Sequence, residues 1–190
     1  HEVLLESMNR FHYNYSVLWG KYGHCGSVTD ARKRNDLVGK YDWKQIRKNE
    51  AYPCFSNATG NDTPPWPWAT ATYAKNAYFY DDIQVSGITY SDGATTDGQR
   101  NAYFRWENVS DTSEAMKMKL WVATAEEAGT TIFTVPESQT ADVTIRRVQG
   151  FKLLKNQPCA WTFGDQAGTA KANAEGVVTV NLTMTHEHQE

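Results

Sequence analysis

The spacing of hydrophobic positions changes character twice along the chain. Over Glu2–Phe11, Leu4, Met8 and Phe11 fall on one helical face with Leu5 beside them, which predicts a short helix. Tyr13–Gly20 is short and rich in β-formers, which predicts a strand that stops at Gly20, with a loop over Lys21–Ser27. Helix, strand and loop read as the end of one α/β unit, and the rest of the chain does not repeat that alternation. Ala31–Lys40 is polar and basic, and Tyr41–Phe55 carries aromatics without a clean period. Ser56–Pro65 is loop chemistry, and Pro67 keeps Trp66–Trp68 out of a central strand. Thr70–Tyr80 and Ile83–Tyr90 predict two strands around Asp81 and Asp82, and Ser91–Gln99 predicts a loop.

From Arg100 the period becomes two. Ala102, Phe104 and Trp106 alternate with Tyr103 and Arg105, and Met118, Leu120 and Val122 alternate with Lys117, Lys119 and Trp121. Thr131–Val135, Ala141–Val148, Ala160–Phe163 and Gly176–Thr185 continue the series, with turns at Asp165–Gly168 and Asn173–Gly176. The expected fold is therefore mainly β: an antiparallel β-sandwich over 100–190, preceded by an α/β remnant over 1–30 and an aromatic-rich connector over 31–99. Phe104, Trp106, Leu120, Val122, Val143, Ile145, Trp161, Phe163, Val178, Val180 and Leu182 are its expected core.

Composition narrows the function classes. The 190 residues carry 22 acidic and 19 basic side chains, for a net charge of −3. That balance gives no electrostatic case for nucleic acid, and no apolar run approaches the ~20 residues of a membrane helix. With 7 Trp, 10 Tyr and 7 Phe the chain is rich in residues that favour strands and interfaces. The 3 cysteines lack zinc-site spacing, so a structural zinc site is not expected; no other metal and no cofactor are expected either. A first residue His1 and the lack of a signal-like segment suggest a processed, trimmed or partial chain. Sequons at Asn14, Asn57, Asn61, Asn108 and Asn181 make glycosylation candidates and suggest a secreted, extracellular protein; Thr-rich strand composition is the alternative.

Two stretches carry a resemblance. Val17–Ser27 (VLWGKYGHCGS) looks like the last core strand and histidine loop of an α/β-hydrolase. The succession of Asp42-Trp43, Ile46–Thr59, Asn101–Thr112, Thr140–Leu153 and Trp161–Gly164 is similar to the C-terminal part of secreted bacterial α/β-hydrolases of esterase or peptidase type, in which a β-sandwich extension follows the catalytic domain. Trp66–Gly98 then looks like an insertion. The resemblance implies that His24 matches the triad histidine, which moves a proton between serine and leaving group. The chain departs from the pattern in having no G-x-S-x-G elbow, so a nucleophile and an acid would have to come from elsewhere.

Each candidate has a plain structural alternative. His24 is otherwise a histidine in a glycine turn. Cys25 and His24 are sequence neighbours whose side chains point apart, so Cys25 reads as a thiol or a disulfide, with Cys54 the candidate partner. His186 and His188 lie two apart and could share a metal, or belong to a solvated tail. His12 reads as packing. Asp81, Asp82, Asp92 and Asp97 are turn residues or oxygen ligands. Trp66, Trp68, Tyr73, Tyr78, Phe79 and Tyr80 form the densest aromatic run, as a core, a protein interface or a sugar-stacking platform. Three functions follow: the C-terminal portion of a secreted serine hydrolase, inactive alone; an extracellular self-assembling or adhesive subunit; and a carbohydrate-binding module. The second implies self-association or a second chain as partner, and the third a polysaccharide.

Overall fold

The structure is a computed structural model, and it describes residues 2–19, 36–60 apart from Val38, 98–130 and 133–190. In chain order the elements are α1 (Glu2–Arg10), β1 (Val17–Trp19), a 3₁₀ turn (Asp42–Gln45), β2 (Tyr52–Ser56), β3 (Gly98–Arg100), β4 (Phe104–Asp111), β5 (Met116–Val122), α2 (Ala125–Ala128), β6 (Ser138–Arg146), β7 (Pro158–Phe163), β8 (Gln166–Lys171) and β9 (Thr179–Thr185). The chain is mainly β, and every strand pair is antiparallel. The sheets are β2–β6–β9, β4–β5, β7–β8 and β1–β3.

The helix forms where the 3.6 period placed it, but the strand after it shrinks to Val17–Trp19. Its partner is Gly98–Arg100, in a stretch that reads as loop. The expected partners within Thr70–Tyr90 lie outside the described residues. Tyr52–Ser56 is a strand that the aromatic scatter concealed. It sits at the edge of its sheet, where Pro53, which has no N–H to donate, is tolerated.

The alternation expected at Ala102–Trp106 does not divide inside from outside, because all five residues are buried. A second cover explains it: Tyr41 lies edge-on to Trp106 (centroids 5.6 Å apart) and under the Arg105 guanidinium at 5.5 Å. The strand expected at Thr131–Val135 is absent over its described residues, Phe133–Val135. Just before it lies α2, held by a capping box in which Thr124 and Glu127 bond each other's backbone N–H. The expected turn at Asp165–Gly168 belongs instead to Gly164–Asp165, and β8 begins at Gln166. Gly164 takes φ +54° there, a conformation open to glycine without strain.

One hydrophobic core joins β2, β4, β5, β6 and β9. At its closed end Phe55 stacks on Phe104 at 4.5 Å and Trp106 is fully buried. The outer edge of β4 is guarded there by side chains: Asp42 Oδ2 accepts from Trp106 N, and Gln45 Nε2 donates to Trp106 O. Of the eleven expected core residues, Phe104, Trp106, Leu120, Val122, Val143, Phe163 and Leu182 are buried. Ile145, Trp161, Val178 and Val180 are only half-buried.

The last residues are docked, which corrects the reading of a solvated tail. Gln189 pairs antiparallel with Leu120 through both backbone bonds, at 2.8 and 3.3 Å. His186 Nδ1 bonds Val122 O at 2.8 Å, and His188 stacks on Trp121 at 3.8 Å between Glu107 and Glu127.

Candidate functional site

His24, Cys25, Asn61, Trp66, Trp68, Tyr73, Tyr78, Phe79, Tyr80, Asp81, Asp82, Asp92 and Asp97 lie outside the described residues. Cys54 is a free cysteine, fully buried in β2, and its expected bridge partner Cys25 lies outside the described residues. Burial outweighs the nearby Arg146 charge and pushes the Cys54 thiol up to about 11, which leaves it an inert core group. The Asn14 side chain is engaged by protein. Its Oδ1 accepts from Tyr41 OH at 2.9 Å, and its Nδ2, the atom a glycan would join, is enclosed by protein. Asn108 is exposed on the β4 bulge at φ +54°. Asn57 and Asn181 are exposed too, but each donates Nδ2 to Asp142 at 2.8 Å. No group of three metal-binding side chains occurs among the described residues.

A serine and a histidine do meet: His12 Nδ1 lies 2.8 Å from Ser56 Oγ. This is nucleophile–base distance. Ser56 is nonetheless fully buried, with its hydroxyl also 3.5 Å from Asp142 O, so no carbonyl carbon can approach it. The pair ties the turn after α1 to β2.

Two concavities among the described residues bear on function. The first, about 370 Å³, is bordered by Arg47, Glu50, Asp111 and Gln149. Its Asp111 carboxylate already accepts the backbone N–H groups of Gln149, Gly150 and Phe151. Burial raises the Asp111 pKa, but these three donors overrule it and hold the carboxyl below the usual range. That carboxylate is a loop clamp.

The second is an apolar groove of about 380 Å³ between β5, the faces of β6 and β9, and β7. Met116, Met118 and Leu120 form one wall, Trp161 and Phe163 the other, and Ile145, Val178 and Val180 the floor. Trp161 is held in place because its ring lies across Gly168, where a Cβ would come within 2.9 Å of it. At the rim Lys117 pairs with Glu190 at 3.3 Å. Cys159 also lines the groove as a half-buried thiol, and burial raises its pKa. The strand alternation did turn these residues inward. What it could not show is that no described residue covers them.

Comparison with protein-family models, with curated proteins and with solved structures finds no match to this chain. Among the described residues no helix is long and apolar enough to cross a membrane.

Proposed function

We propose that the chain is a non-catalytic assembly module: its β-rich body is an incomplete sandwich that joins another polypeptide through the apolar groove. One observation carries this reading. Four residues with core patterning, Ile145, Trp161, Val178 and Val180, stand half-exposed around a single groove of about 380 Å³. Leaving such apolar area in water forgoes about 25 cal/mol per Å², so a partner that covers it gains that free energy. The walls suit a hydrocarbon side chain better than a sugar, because the thioethers of Met116 and Met118 adapt to shape but offer no strong hydrogen bond.

The experiment is titration with an anilinonaphthalene sulfonate dye. The folded chain is expected to bind saturably, at about one site. Val180→Asp should abolish binding while the melting temperature holds. Unsaturable or absent binding to the folded chain would defeat the reading.

A further inference from the structure

We infer that the connection between β6 and β7, residues 147–157, is a docking surface for an anionic lipid bilayer, with Leu154 as the side chain that enters it.

The loop is basic and apolar together. Residues 147–157 carry three cations, Arg147, Lys152 and Lys155, and no carboxylate, in a chain whose net charge is −3. All three cations are exposed. Lys171, exposed at the end of β8, adds a fourth beside the loop, since its register partner is Pro158. Two acids that border the loop are already engaged. Asp111 accepts three backbone N–H groups at the loop's root, and Glu175 pairs with Arg146 at 3.5 Å.

Leu154 is 78 % exposed, more than any other large apolar side chain among the described residues. Phe151 and Leu153 line the groove, but Leu154 does not. Its backbone is fixed. Leu154 N donates to Gln157 Oε1 and Gln157 N donates to Leu154 O, each at 2.9 Å. Asn156 takes φ +64° in this turn and donates its N–H to Ala172 O at 2.9 Å. The turn therefore presents one leucine at a set position beside lysines, with little ordering left to lose on binding.

A lone exposed leucine needs no partner. The cations around this one select it. A soluble acidic partner would engage the lysines and leave the leucine in water. An apolar protein pocket would take the leucine and strand the lysine charges. An anionic bilayer surface meets both: its headgroups attract the cations, and the acyl boundary just beneath them takes the leucine. So few anchors make a weak, salt-sensitive contact, of the kind that supplements a second attachment.

The test is vesicle sedimentation of the full chain at low salt, with vesicles of phosphatidylcholine alone and of phosphatidylcholine with phosphatidylserine. Sedimentation is expected with the phosphatidylserine vesicles only, and high salt should remove it. Leu154→Ser should weaken binding about tenfold. Lys152→Gln combined with Lys155→Gln should weaken it by at least about tenfold. Both variants change exposed side chains, so the melting temperature should hold. Val180→Asp, in the groove, should sediment like the parent chain. No sedimentation with either vesicle, or equal sedimentation with both, would overturn the proposal. So would undiminished binding by Leu154→Ser, the mark of a merely acidic partner. Loss of binding in Val180→Asp would also overturn it, by placing the lipid in the groove.

Discussion

The two ends of the β core are made of the same kinds of residue and meet different fates. At the closed end Phe55, Phe104 and Trp106 are sealed by Tyr41 and Leu37, and the side chains of Asp42 and Gln45 satisfy the exposed edge of β4. At the open end Trp161, Ile145, Val178 and Val180 have the same inward patterning but are only half-buried, with no cover among the described residues. Apolar periodicity therefore decides which way a side chain faces. Whether it is buried depends on a second layer, which Tyr41 supplies at the closed end and no described residue supplies at the open one.

The sharpest way to break this comparison is to truncate one tryptophan at each end. Trp106→Ala should cost about 3–5 kcal/mol, because it empties a fully enclosed site. Trp161→Ala should cost about 1 kcal/mol, since its ring is half in water already. Urea denaturation of both variants measures the difference, and equal costs would erase the distinction between the ends.

Acid sharpens the contrast at the loop that borders the groove's far end. Phe151 lines the groove, and its N–H is held by Asp111. The Asp111 pKa is raised by burial and lowered further by its backbone donors, for a net value below the ordinary 3.8. A carboxyl depressed in the folded state stabilises it fully above the unfolded pKa, and that contribution fades as pH falls through the folded value. Asp111→Asn should therefore lower stability at neutral pH and show a smaller further loss below about pH 4. Acid titration of the melting temperature checks it; an unchanged acid slope would count against the clamp.

Thiol chemistry separates the ends without changing stability. Cys54, pushed up to about 11 by burial, should label with iodoacetamide only on unfolding. Cys159, half-exposed in the groove, should label in the folded chain. Labelling at matched rates would show that the groove is closed.

The strands over 100–190 were legible because a half-buried strand writes itself as alternation, as at Met118, Leu120 and Val122. β2 was not, because its burial does not alternate, and at Ala102–Trp106 the alternation was read but did not tell inside from outside, since all five residues are buried. The partner of β1 was hidden because Gly98–Arg100 has no strand character of its own and is ordered by pairing. The capping box of α2 stood in the sequence as Thr124 and Glu127, unused because the following apolar residues suggested a strand. Nothing in the sequence marked the groove. It arises from how far β7 stands from β5, which is a tertiary spacing. The docking of His188 on Trp121 likewise depends on a long-range approach that i, i+2 spacing does not encode.

The central claim, that the open end of the core is an apolar groove that binds, is tested most directly by methyl NMR on the chain's 4 methionines. Met116 and Met118 line the groove, whereas Met184 is fully buried in the core away from it and Met8 lies in α1. Adding the anilinonaphthalene sulfonate dye should shift the Met116 and Met118 methyl signals and leave those of Met184 and Met8 in place. Four unmoved signals, or a shift of Met184 as large as that of Met118, would contradict the account.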